Sequence, residues 1–268
     1  MTTDGTTQSV PAASQRRPLA KIVRVLSAMV DSGAQLHSVR SLAQATSLTP
    51  STVHRILVSL ASEGMAEQRP DGRYGLGLEF MRLAARASGR FETSSLARPL
   101  LVGLAERTGE TGLLGLFDRT RRMVMIAAVA ESDHALRYSI KTNEWMALHC
   151  GATGLGILAF LPDEERKTII EAIALDRVTE NTVTDAGELQ IVCDQIRAKG
   201  YACTHGQRIV GAVGVSAPVY GSDERLIGDI ALTLPEQRFS LDREPAYARE
   251  VVAVAKHLSA LLGRSSAS

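Results

Sequence analysis

Residues 47–64 read SLTPSTVHRILVSLASEG. Thr49 is a helix-capping residue, and Pro50 suits the first helical position, where its missing N–H has no helical partner to lose. From there Val53, Ile56, Leu57 and Leu60 fall at i, i+3, i+4 and i+7, which is one buried stripe. The opposite side carries Ser51, Arg55, Ser59 and Ser62, with Thr52 and His54 beside them. Gly64 stops the helix. One face is therefore core, and the other is small, polar and basic.

The flanking sequence explains that asymmetry. Upstream, Ile22, Val25, Leu26 and Met29 form the stripe of a first helix, which DSGAQLH (31–37) breaks. Ser38 caps a short second helix with Val39, Leu42 and Ala43 inside, and Ser47–Leu48 make a tight turn into the helix above. Downstream, MAEQRPDGRYGLG (65–77) places Asp71–Gly72 between strand-like residues, a hairpin signal, with Arg69 and Arg73 at its tip. Two helices across a tight turn followed by a basic hairpin predict a winged helix-turn-helix. Small side chains let such a helix sink into a major groove, and Arg55 is then placed for a guanine edge or a phosphate. A small helical domain that binds protein is the alternative, but it has no need of the basic hairpin. The residues placed at the DNA are Ser38, Pro50, Ser51, Thr52, His54, Arg55, Ser59, Arg69 and Arg73.

Charge agrees. Residues 1–90 hold 11 Lys/Arg against 6 Asp/Glu, and residues 91–268 hold 19 against 23, so a net +1 conceals a basic first third on an acidic remainder. The polar start MTTDGTTQSVPAASQRRP has no apolar segment of secretory type and reads as a disordered arm. No apolar run approaches the ~18 residues of a membrane helix, so no membrane partner is expected. Three cysteines, Cys150, Cys193 and Cys203, are an odd number at no ligand-like spacing, which fits a reducing cytoplasm better than a disulfide framework.

After a helix-rich connector (79–109), in which Pro99 is expected to kink or restart a helix, the character changes. TGLLGLFD and MVMIAAVA are strand-length runs across a basic turn. GATGLGILAFL (151–161), PDEERKTIIEAI (162–173) and ELQIVCDQIRAKG (188–200) read as helices, with Cys193 on a core face. AVGVSAPVY and LIGDIALTL read as a strand pair, and a last helix covers 244–262. Strands and helices do not alternate strictly, which favours α+β with an antiparallel sheet. THGQRIVGAVG leads into a strand, so it is no dinucleotide fingerprint, and GVSAP is no nucleophile elbow. Catalytic residues and cofactors are therefore assigned as none. Cys203 with His205, or His149 with Cys150, lacks zinc-site spacing, so no metal is assigned either. HCGATGLG (149–156) is a glycine-rich helix start. Its unpartnered N–H groups suit a carboxylate, and its glycines equally suit close packing on a sheet.

The run LAKIVRVLSAMV … SVRSLAQATSLTPSTVHRILVSLASEGMAEQRPDGRYGLG resembles the winged-helix domain of the IclR family of bacterial transcriptional regulators. TGETGLLGLFD, LHCGATGLGILAFLP, AKGYACTHGQRIVGAVGVSAPVY and VAKHLSALLG resemble that family's effector-binding domain in order and approximate spacing, so the likeness covers residues 19–263. It implies a disordered arm over 1–17, a DNA-binding domain over 18–80, a linker helix and dimerisation region over 81–108, and a GAF-like α+β effector-binding domain over 109–264. It implies a homodimer or dimer of dimers on a palindromic double-stranded operator, and a small-molecule effector, often a carboxylate or aromatic acid. The family's effector contacts fall here on Ala152 and Thr153, on Pro218, and on Ala231 and Thr233. Pro218 and Ala231 lack the polar groups common there, so a larger or more apolar acid is expected rather than one as small as glyoxylate. Beside these, Gly151 and Gly154 expose backbone N–H groups, His149 is placed to help, and Trp145 and Met146 are placed against the apolar part of the ligand. A second domain with catalytic activity, or a metal-responsive regulator, is the alternative.

Overall fold

The computed structural model describes residues 16–88 and 92–263, so the arm expected over 1–17 lies, up to residue 15, outside the described residues, as does Gly89. The chain divides into two compact units between residues 91 and 92.

The first unit has three helices, α1 (Arg16–Asp31), α2 (Val39–Thr46) and α3 (Pro50–Ser62), then strands β1 (Ala66–Gln68) and β2 (Tyr74–Leu76) and helix α4 (Leu78–Ser88). Ser38 caps α2 reciprocally with Ser41, and Ser47 turns the chain in the left-handed conformation. Val25, Met29, Leu42, Val53, Leu57, Leu60 and Tyr74 make the core. β1 and β2 pair antiparallel, and His37 exchanges two backbone hydrogen bonds of 2.8 Å with Tyr74, extending the wing by one bridge. Gly77 passes so near Gly64 that a Cβ there would stand 2.0 Å from the Gly64 carbonyl oxygen, so only glycine fits.

The second unit is a six-stranded antiparallel sheet in the order β5-β4-β3-β8-β7-β6. Its strands are β3 (Thr111–Asp118), β4 (Met123–Ala130), β5 (Trp145–Ala147), β6 (Ala202–His205), β7 (Ala212–Tyr220) and β8 (Leu226–Pro235). Its helices are α5 (Glu92–Thr108), α6 (Gly151–Phe160), α7 (Asp163–Ala172), α8 (Ala186–Lys199) and α9 (Glu244–Leu261). Alternation along β7 divides the two faces. Val213, Val215, Ala217 and Val219 meet Leu101 and Leu104 of α5 and Val251 and Leu258 of α9. On the other face lies α6, with α8 behind it.

Pro99 neither ends nor restarts a helix: α5 is assigned as one helix from 92 to 108 with the proline inside. The ~3 kcal/mol an interior proline costs is outweighed by the burial of Ala97, Leu101 and Leu104 around it. The short strands β5 and β6 have no independent signal in the sequence. β6 gains its hydrogen bonds from β7, and β5 gains its from β4.

Helix α6 is apolar all round, and nine of its ten residues are buried. A Cβ on Gly156 would meet Ser216 Oγ at 2.1 Å, and one on Gly154 would meet the Leu148 carbonyl oxygen at 2.7 Å. Those two glycines serve close packing. The buried Arg166 guanidinium ties α7 to α8 through Asp194 at 2.7 Å.

Candidate functional site

In the first unit the Thr49 hydroxyl accepts from the Thr52 N–H at 3.3 Å, which fixes where α3 begins. Burying Val53, Leu57 and Leu60 turns Pro50, Ser51, His54, Arg55 and Ser59 outward, with Thr52 half-buried at the edge. Arg55 makes no ion pair among the described residues, so its guanidinium is available. The wing is different. Asp71 holds the hairpin by accepting from the Arg73 N–H at 3.0 Å and Nε at 2.7 Å, and the adjacent guanidinium draws its carboxyl below the usual range. Arg69 pairs with Glu67 at 3.2 Å. Both pairs are exposed, so each is weak and readily exchanged for a phosphate. Ser38 is exposed, but its hydroxyl is committed to capping α2.

In the second unit a cavity of about 570 Å³, counted with its open mouth, lies at the start of α6. Leu113, Ile126 and Met146 from the sheet and Ile140 from the loop before β5 make its apolar wall. Cys150, Gly151, Ala152 and Thr153 at the helix start, with Thr204 and Thr233 from the strands, make its polar side. Cys150 is the N-cap but gives no side-chain cap, and the Gly151 N–H donates instead to Gln207 Oε1 at 3.4 Å. The loop between β6 and β7 adds Gln207, Arg208 and Ile209.

Two loops at the mouth are held firmly. The Thr179 hydroxyl donates to the Gly206 carbonyl at 2.7 Å and the Thr182 hydroxyl to that of Gln207 at 2.8 Å. Arg238 bonds both oxygens of the buried Glu110, at 2.8 and 2.5 Å, and donates to the Leu136 carbonyl at 2.7 Å. The Tyr138 hydroxyl then donates to the Val210 carbonyl at 3.2 Å, joining the two loops.

Of the effector residues expected from sequence, Met146, Gly151, Ala152, Thr153 and Thr233 meet at this cavity. Five others do not line it. Trp145 points to solvent beneath the Arg121 guanidinium, because successive residues of β5 face opposite ways. His149 is buried with Nε2 2.8 Å from the Asp176 carbonyl oxygen. Gly154 is packed on the 147–148 backbone. Ala231 packs with Leu113 and Ile126 behind the wall. Pro218 lies four residues beyond Gly214 on the same face of β7, and the β7 residues at the cavity are Ala212 and Gly214. Sequence reasoning misses Thr204, Gln207, Arg208 and Gly214. A signal for them exists, since Gly206 and Gly211 both adopt positive φ and bracket a turn that reads in the sequence only as a failed dinucleotide motif.

Beneath Thr153 lies Asp229, with no exposed surface. The Ser216 and Thr153 hydroxyls stand beside it without hydrogen-bond geometry, and that of Ser216 donates to the Ala152 carbonyl at 2.8 Å. Desolvation pushes this carboxyl well above the usual range, which favours its neutral form. Burial likewise pushes the thiols of Cys193 and Cys203 up to about 12, far from the reactive thiolate range. Among the described residues no three His, Cys, Asp or Glu side chains gather as a metal site.

The family model for the IclR helix-turn-helix domain matches residues 18–70, and that for the bacterial transcriptional regulator IclR C-terminal domain matches residues 86–260. The chain belongs to the IclR family. The HTH-type transcriptional regulator BhcR of Paracoccus denitrificans is 32% identical over 219 residues, 81% of this chain and 78% of that protein. Among solved structures, the IclR regulator of Alicyclobacillus acidocaldarius aligns with a TM-score of 0.75 at 22% identity, over 96% of this chain and 98% of that one. An IclR homologue from Microbacterium hydrocarbonoxydans, solved with 4-hydroxybenzoate, aligns with the same TM-score and identity over 91% and 98%. This IclR-family chain is thus a DNA-binding transcriptional regulator with a C-terminal effector-binding domain, and not an enzyme. No helix among the described residues is long and apolar enough to cross a membrane.

Proposed function

We propose that this regulator reads a palindromic operator as a homodimer or dimer of dimers in the cytoplasm, and that a small organic acid bound at the start of α6 controls it. The outward face of α3 supports the DNA reading: Ser51, His54, Arg55 and Ser59 share one exposed side above a fully buried apolar stripe. Small residues allow approach, and Arg55 supplies base-edge or phosphate contact. Arg69 and Arg73 reach the adjoining backbone or minor groove. A palindrome with half-sites ~34–36 Å apart requires two such helices in fixed relation, hence at least a dimer. Changing Ser51, Thr52 and Arg55 to alanine together is expected to abolish specific operator binding in a mobility-shift titration while circular dichroism stays unchanged. Undiminished affinity would remove α3 from the groove.

The cavity supports the effector reading. It joins an apolar wall to a polar end made of threonine hydroxyls and a helix N-terminus whose N-cap side chain makes no cap, which suits a carboxylate on an apolar body. The homologue solved with 4-hydroxybenzoate, an aromatic acid, points the same way. Binding there biases the relation of the two DNA-binding domains by its differential affinity for the two states. Repression relieved by effector is the simplest sign of such control.

A further inference from the structure

Among the described residues, the lining of the cavity contains one charged side chain, Arg208, and no aspartate or glutamate. Among the described residues no carboxylate pairs with it, and its polar contact is Nη1 to Cys150 Sγ at 4.0 Å. Four other arginines of this unit pair with carboxylates: Arg119 with Glu165, Arg166 with Asp194, Arg197 with Asp163 and Arg238 with Glu110. Arg122 and Arg249 have no carboxylate partner among the described residues either, but neither lines the cavity, so it is the place of Arg208 that sets it apart. A half-buried cation without a counter-ion carries a desolvation penalty that its own fold does not relieve.

Its position is also prepared in advance. The flanking loop is tied at Gly206 and Gln207 by Thr179 and Thr182, and at Val210 by Tyr138. The Arg208 stem lies against Gly151, where an added Cβ would come within 3.2 Å of Arg208 Cβ, and Gly151 has φ +76°. The guanidinium and the positive end of α6 thus border the same cavity. Burial of Asp229 beneath Thr153 raises its pKa well above the usual range and so disfavours a negative charge under them.

We propose that Arg208 is the counter-ion of the effector. It pairs with the carboxylate of a monocarboxylic acid whose apolar body lies against Leu113, Ile126 and Met146. One unpaired cation balances one anionic group. A second carboxylate would be forced against the apolar wall without a partner, so dicarboxylates are rejected. This inference rests on the reading of the cavity as the effector site.

The test uses the full chain, with calorimetric titration of benzoate and hexanoate against their amides, benzamide and hexanamide, and against succinate. At least one of the two monoacids is expected to bind, with its amide and succinate weaker by about tenfold or more. Arg208→Gln should weaken the acid by about tenfold or more and erase the acid-over-amide preference, while Arg208→Lys retains part of it. If Arg208→Gln does not fold, the Arg208→Lys variant and the amide comparison decide. Acid binding unchanged by Arg208→Gln but abolished in Ala152→Leu overturns the role of Arg208 and leaves the cavity as the site. Binding that survives both variants overturns the cavity as well. Failure of both monoacids to bind at about 10 mM also overturns the proposal.

Discussion

Asp229→Asn is predicted to make the effector-binding domain more stable, and increasingly so as pH rises. Asp229 has no exposed surface and neither carboxyl oxygen is hydrogen-bonded, so desolvation raises its folded pKa well above the usual carboxylate range. In the unfolded chain an aspartate titrates near ~3.9. Between that pH and the folded pKa the native state binds more protons than the unfolded state. Stability therefore falls with rising pH in this window, by about 1.4 kcal/mol per pH unit while the buried acid stays neutral. Even one pH unit of this window is a sizeable part of the ~5–15 kcal/mol that holds a domain folded. Asparagine has the shape of the neutral acid and no proton to lose, so the variant escapes this slope. The assay is urea unfolding of wild type and variant at pH 5, 6 and 7. It is read by the fluorescence of Trp145, the single tryptophan, which lies in this domain. The advantage of the variant should grow from pH 5 to pH 7. An advantage that is flat across that range would show that Asp229 is already ionised in the folded state, and the account of its burial would be wrong.

Arg55→Ala should weaken operator binding by about 1–3 kcal/mol, and a loss equal on random DNA would mark a phosphate contact rather than base reading. Neutralising Arg69 and Arg73 together should reduce the slope of log K against log salt by about one for each phosphate they neutralise, measured by fluorescence anisotropy. Their carboxylate partners Glu67 and Asp71 are then left unopposed in the wing. An unchanged slope would place the wing away from the DNA. Ala152→Leu should fill the cavity and abolish release by effector while operator affinity in its absence stays intact, and a normal effector response in a reporter assay would put the site elsewhere.

The first unit is legible from the sequence because its instructions are local. Thr49 and Pro50 start α3, and Gly64 follows its end. Spacing of 3.6 residues places Val53, Leu57 and Leu60 inward, and the Asp71–Gly72 turn makes the wing. Helix α6 is equally legible, and so are the long strands. What spacing leaves open is the purpose of the α6 glycines. Tertiary contacts divide them: Gly154 and Gly156 lie against the Leu148 carbonyl and the Ser216 hydroxyl, whereas Gly151 faces the cavity. The cavity is assembled from residues more than a hundred positions apart, from Leu113 to Thr233, and no local pattern records which of them meet. Pro218 and Gly214 differ in the sequence by four places on one strand, and only the register of β7 against β8 decides which of them reaches the cavity. His149 and Trp145 look available because they flank the glycines, but β5 turns one to solvent and a backbone carbonyl of the 174–178 segment claims the other. Arg208 escapes a sequence reading because an arginine in a loop is ordinary until the fold brings no acid to it. Periodicity thus settles which residues are helical, extended or buried, since those follow from neighbours within a few positions. The cavity depends on pairing across the sheet, which only the folded chain decides.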